Sequence, residues 1–145
     1  MVFKKVSIDE YELVLRMEGI FWENFIEKDS TKRFLKNPMN WLYACILDNK
    51  IIGFAYGYEL NRLNTLKNMM YIHAVSILPE FQRQGIGTKL MDELKKSCKE
   101  NGIFKIFLFT QKSNIGACSL YEKTGGKLTE GQKDDDRTYF FNIIE

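Results

Sequence analysis

Residues 79–94 read PEFQRQGIGTKLMDEL, and the fold turns on how that run is divided. Upstream, Met69 to Leu78 is an apolar run that Pro79 closes, as a strand would end. Downstream, Ile86, Leu90, Met91, Leu94 and Cys98 recur at helical spacing until Asn101-Gly102, which predicts a helix from Gly85 onward. Gln82 to Gly87 is therefore a strand-to-helix loop with two glycines and one arginine. Unpaired amides at a helix start, with the positive end of the helix behind them, form a site for anionic oxygens. Two phosphate loops fail on spacing. A P-loop needs G-x-x-x-x-G-K-[ST], whereas Gly85 and Gly87 are two apart and Thr88 precedes Lys89. A dinucleotide turn needs G-x-G-x-x-G, and Leu90 stands at the third position. By itself the loop is equally an ordinary glycine turn opening a helix.

Working outward, the N-terminal side reads as a strand over Phe3 to Ile8, then a helix started by Ser7 and Glu10 at capping-box spacing. Tyr11, Val14, Leu15, Phe21, Trp22 and Phe25 keep helical spacing across Gly19, a kink or break. A second helix over about Ser30 to Lys36 stops before Asn37-Pro38. Trp41–Leu47 and Ile51–Leu60, rich in aromatic and branched residues around Asp48-Asn49-Lys50, predict a β-hairpin. On the C-terminal side, IFKIFLFT (103–110) reads as a strand buried on both faces. NIGACSLYEKTGG (114–126) reads as a helix stopped by Gly125-Gly126, and RTYFFNII (137–144) as a last strand behind a turn at EGQKDDD. Hairpins first and a strand-helix-strand crossover later make an α+β domain on a mixed sheet.

A chain of 145 residues is most simply one domain, 1–145. Net charge is +2 with the basic residues scattered, which argues against a nucleic-acid partner. Cys45, Cys98 and Cys118 lack metal-ligand spacing and sit in apolar patterns, so buried free thiols and no metal are expected. No apolar run approaches the roughly 18 residues of a membrane span, and nothing reads as a signal peptide. A soluble cytoplasmic protein with no membrane partner is expected, and a surface strand near the C-terminus would suit a homodimer.

Gln82-Arg83-Gln84-Gly85-Ile86-Gly87, with Pro79-Glu80 ahead of it and Leu90 behind, resembles the pyrophosphate-binding motif of the GNAT (Gcn5-related) N-acetyltransferases. Asn114, Ala117, Tyr121 and Gly125 are similar to that family's N-x-x-A-x-x-x-Y-x-x-x-G helix. The resemblance implies the GNAT fold, with six to seven strands, about four helices and a splay between the fourth and fifth strands. It implies acetyl-coenzyme A as co-substrate. Its pyrophosphate would lie on the amides of Arg83 to Thr88, its pantetheine along Val75 and Ile77, with Gln82 and Asn114 also in the site.

The implied reaction is attack of a primary amine on a thioester. The arriving ammonium must lose a proton and the departing thiolate benefits from a donor. By resemblance Tyr121 is the general acid, although Ile115, Cys118 and Tyr121 would equally form an apolar helix face. His73 is the single histidine, and imidazole ordinarily titrates near pH 6.5, about right for a base. Strand alternation would set Tyr71, His73, Val75 and Ile77 on one side. No carboxylate lies between Leu60 and Glu80, so Glu59 is the reserve base, acting through water. Phe21, Trp22 and Tyr71 are the candidate acceptor contacts, with Asn24, Glu27, the loop 61–68 and Asp134 to Asp136 beside them. Aromatics with acidic neighbours suit a small cationic amine, and the LYEKTGG…DDD ending resembles small aminoglycoside N-acetyltransferases, which implies an aminoglycoside-like acceptor. A peptide or lysine acetyltransferase and a non-catalytic acyl-coenzyme A sensor are the alternatives.

Overall fold

The computed structural model describes residues 1–23 and 25–144. Its elements are β1 Val2–Lys5, α1 Tyr11–Leu15, α2 Lys28–Lys36, β2 Asn40–Leu47, β3 Lys50–Leu60, β4 Asn68–Ile77, α3 Ile86–Glu100, β5 Ile103–Gln111, α4 Ile115–Lys123, β6 Lys127–Leu128 and β7 Asp136–Asn142. They build one seven-stranded sheet in the order β1-β2-β3-β4-β5-β7-β6. Only β4 and β5 run parallel; the other pairs are antiparallel. The α+β fold with a mixed sheet is as expected. No helix among the described residues is long and apolar enough to cross a membrane.

The helices cover both faces. Leu13, Met17, Phe34 and Leu35 from the α1–α2 region pack on Leu42, Ala44, Ile51 and Phe54. On the opposite face, Ile86, Leu90, Met91, Leu94 and Cys98 of α3 meet Met70, Ile72, Ile106 and Leu108, and Tyr121 of α4 joins them beside Tyr139 and Phe141. The apolar positions read from helical spacing after Gly85 are all buried.

The β2–β3 hairpin closes on Asp48-Asn49, both at positive φ (49° and 62°), the two-residue turn whose twist matches the strands. Val6 still bonds to Leu42, so the first strand gives way at Ser7, whose amide donates to Glu10 Oε1 at 3.1 Å. The expected long first helix is instead short. It ends at Leu15, and the Gly19 amide donates to the Trp22 carbonyl at 2.7 Å, so Gly19 marks a break rather than a kink. Freed from the helix, Phe21 and Trp22 turn onto Phe54, with ring centroids 4.9 and 5.6 Å from it.

Three further expectations change. β5 is not buried on both faces: Ile103, Ile106 and Leu108 are, while Phe109 on the other side is 60% exposed. Cys45 and Cys98 are buried free thiols, but Cys118 is half-buried, its Sγ donating to the Gln111 carbonyl. The alternation along β4 is interrupted. Tyr56 pairs with Ala74 and Gly57 with Ile72, so His73 is an extra residue, a β-bulge. Tyr71 and His73 lie among the aromatics of β3 and β5. Beyond the bulge, Val75 and Ile77 pack on the α3-side core. The four residues therefore do not share one side.

Gly57 makes the bulge possible. A Cβ built there would stand 1.9 Å from the Tyr71 carbonyl oxygen and 2.8 Å from Ile72 Cα, backbone atoms that cannot swing away. Gly57→Ala is expected to destabilise the protein by about 3 kcal/mol or more, measured by urea denaturation. An alanine variant as stable as the parent would show that the bulge relaxes easily.

Candidate active site

The last β4–β5 pair is Ile72 with Leu108. Beyond it the expected splay opens, leaving the β5-facing edge of His73 to Ile77 without a strand partner among the described residues. A cleft of about 640 Å³ occupies this gap, lined by Val75, Ile77, Gln82, Arg83, Gly85, Gly87, Thr88, Asn114 and Tyr121. These are nine of the residues that the sequence singled out, brought together from β4, the loop, α3 and α4.

Each is held for a local reason. Gln82 Nε2 donates to the Ile77 carbonyl at 2.9 Å, pinning the loop to the strand end. Arg83 and Gly85 both take left-handed backbone (φ 61° and 80°), which curls the chain so that α3 starts facing the cleft. Gly85 has nothing within 4 Å of a built Cβ, so its backbone angle rather than crowding calls for glycine. The amides of Ile86, Gly87 and Thr88, in the first turn of a 15-residue helix, have no helical partner. Gln84 and Ile86 send their side chains elsewhere: Gln84 Nε2 donates to the Glu80 carbonyl at 2.9 Å, and Ile86 is 7% exposed in the core. Asn114 caps α4, its Oδ1 accepting from the Ala117 amide at 3.1 Å.

Tyr121 reaches the cleft from α4 with its ring packed on Tyr139 and Phe141, at centroid distances of 5.7 and 6.3 Å. No described residue bonds its hydroxyl, and no buried side-chain N or O atom among the described residues lacks a partner, so that hydroxyl keeps accessible surface. Burial, with Cys118 adding to it, pushes the phenol up to about 12. Ile115 is 77% exposed, so the apolar face of this helix reduces to Tyr121 with Cys118 half-buried beside it. The sequence reading overlooked Ser119, Leu120 and Lys123, which also line the cleft. Their spacing of three, four and seven from Gly116 puts them on one helix face, a signal that was available.

His73 stands on the bulge at the mouth of the splay. Tyr71 Oη is 3.2 Å from His73 Nδ1, and the Tyr56 ring centroid is 5.3 Å from the imidazole. Tyr71 also stacks on Phe107 at 5.4 Å and on Tyr58 at 6.4 Å, so its ring is fixed. Glu59 is elsewhere: its carboxylate accepts from Trp41 Nε1 at 3.0 Å and Asn68 Nδ2 at 2.7 Å. With both oxygens engaged beside the α3-side core residue Trp41, it is not brought to His73 or Tyr121.

Of the expected acceptor wall, Trp22 and Glu27 line a second cavity, under α1 and α2, where Tyr56 joins them unforeseen. Asn24 lies outside the described residues. Leu63 and Leu66 of the 61–68 loop are fully exposed. Asp135 accepts from the Ser113 amide and hydroxyl at 2.8 and 2.7 Å, and these bonds hold its carboxyl below the usual range.

The family model described as "Acetyltransferase (GNAT) family" matches residues 9–126. An N-alpha-acetyltransferase of Saccharolobus solfataricus is 29% identical over 92 residues, 59% of this chain and 55% of that one. The chain spans about half the length of the curated relatives it matches. Among solved structures, a GNAT-family acetyltransferase from Streptococcus pneumoniae gives a TM-score of 0.77 at 14% identity, covering 99% of each chain. An aminoglycoside acetyltransferase from an uncultured soil metagenomic sample, in complex with trehalose, gives 0.76 at 22% identity over 92% of this chain and 90% of that one. Those two likenesses concern the fold. The family match takes in both the glycine loop and the helix from Asn114 to Tyr121, and the chain belongs to the GNAT acetyltransferase family.

Proposed function

We propose that this chain is an N-acetyltransferase that takes the acetyl group of acetyl-coenzyme A to a primary amine. The observation that carries the reading is the splay cleft, which combines free helix-start amides, an unpaired strand edge and an accessible tyrosine hydroxyl. Such a cleft fits the co-substrate part by part. The amides of Ile86 to Thr88, with Arg83, suit a pyrophosphate. The free edge of Val75 to Ile77 suits amides that pair as a strand would. When bound, acetyl-coenzyme A supplies a thioester-activated acyl group.

The chain's own groups then manage two protons. The acceptor arrives as an ammonium with no lone pair, and His73 removes its proton. In this role Nδ1–H donates to Tyr71 Oη, which leaves Nε2 with the lone pair, so Tyr71 positions the base through its tautomer. Tyr121 holds its proton at neutral pH, because burial disfavours the phenolate, and offers it where a thiolate departs. Glu59, engaged by Trp41 and Asn68, is left out of this scheme.

A small amine is the favoured acceptor, since the aromatic wall around His73 adjoins an apolar pocket of about 480 Å³, a size that suits a small molecule. The N-alpha-acetyltransferase relative favours a second reading, a peptide N-terminus. Thiol release from acetyl-coenzyme A across a panel of amines and peptides tests both. Coenzyme A binding without release on any of them would leave a sensor.

His73→Ala is expected to lower kcat/KM about 100-fold at pH 7. The loss should shrink as pH rises toward the amine's own pKa, where the acceptor deprotonates unaided. A pH–rate profile parallel to that of the parent would make His73 structural.

A further inference from the structure

Under α1 and α2 lies a cavity of about 480 Å³, within the range of roughly 300–1,000 Å³ typical of small-molecule sites. Val14, Met17, Ile26, Phe34 and Leu42 supply apolar walls. At its mouth, Trp22 is 40% exposed and Phe25 78%, large apolar surfaces left open to solvent. Among the described lining residues one carboxylate, Glu27, is present and no lysine or arginine. Tyr56 joins this cavity to the reaction centre, since its ring lines the wall and stands 5.3 Å from His73.

We infer that the acceptor is a monoamine with an apolar or aryl body, which enters this cavity while its nitrogen meets His73. The inference rests on the acetyl-transfer reading above. A polycationic acceptor would need several carboxylates, because each ammonium withdrawn from water requires a partner; the cavity offers one. A single amine carried to His73 past the aromatic rings, with its body against the apolar walls, matches both the charge and the shape.

Steady-state thiol release with phenethylamine, methylamine, kanamycin and an N-terminal methionine tetrapeptide tests this. The kcat/KM for phenethylamine is expected to exceed that for methylamine by at least about 30-fold, the order expected for burying an aryl group. Ser30 lines the cavity near the start of α2, and Ser30→Phe fills it from the helix. That substitution is expected to cut the phenethylamine-to-methylamine ratio about 10-fold with the Kd for coenzyme A unchanged. Should Ser30→Phe not fold, Ile26→Trp narrows the same space from the loop and is expected to have the same effect.

Faster turnover of kanamycin or the peptide overturns the inference alone, as does a ratio that neither variant moves. A dimer that Phe25→Ser dissociates also overturns it, since a second copy would then cover the mouth. Coenzyme A binding without thiol release on any amine overturns the acetyl-transfer reading, and this inference with it.

Discussion

Gly85→Asp is expected to raise the Kd for coenzyme A at least about 100-fold while leaving the protein folded. Residue 85 sits at φ 80°, where a side chain costs about 1–2 kcal/mol. A built Cβ meets nothing within 4 Å, so no clash is added. Aspartate at this position sets a carboxylate beside the free amides of the first turn of α3. That is the cause of the loss. The variant's own anion stands beside those amides and repels any phosphate that approaches. A loss of about 2.7 kcal/mol of binding is a factor of 100. Gly85→Ala separates the terms, since it carries the backbone strain without the charge and is expected to weaken binding about 10-fold at most. Calorimetric titration with coenzyme A decides the matter, and an unchanged affinity for Gly85→Asp would mean the loop does not hold phosphate.

The second large effect concerns Tyr121. Tyr121→Phe keeps the ring contacts to Tyr139 and Phe141 and removes a hydroxyl that no described residue bonds. Stability should therefore change by less than about 1 kcal/mol. The kcat should fall about 100- to 1,000-fold, the usual worth of a positioned proton donor, with KM for acetyl-coenzyme A little altered. The pH dependence adds a second reading. A phenol pushed up to about 12 stays protonated throughout the working range, so the parent enzyme should show no descending alkaline limb below about pH 10 from this group. A Tyr121→Phe variant with parental kcat would make the residue a packing element of α4.

Much of the fold was legible because it depends on local rules. Ile86 to Cys98 announced their buried face by spacing, Asp48-Asn49-Lys50 announced a hairpin whose turn proved to be Asp48-Asn49, and Pro79 ended β4. The residues of the splay cleft were legible too, since Gln82 to Gly87 and Asn114 to Tyr121 are contiguous runs whose spacing carries the family resemblance. Other features were not, among them the early end of α1 and the break at Gly19, since Phe21 and Trp22 stack on Phe54, a partner more than thirty residues away along the chain. Phe109 is exposed although its strand reads as buried, since exposure depends on whether a helix covers that stretch of sheet. Glu59 resembled a spare base until Trp41 and Asn68, 18 and 9 residues away along the chain, engaged it.

The sequence by itself determined the strand-loop-helix over β4 and α3, because it follows from backbone angles and helical period within a short run, and its resemblance to a family singled out Tyr121. Only the tertiary structure decided where His73 stands. The bulge at His73 exists because Gly57, on the neighbouring strand, has no side chain to exclude the Tyr71 carbonyl. That contact turns Tyr71 and His73 toward the aromatic face and Val75 and Ile77 toward the α3 side. Register between strands is a property of two segments packed together, and neither segment alone records it.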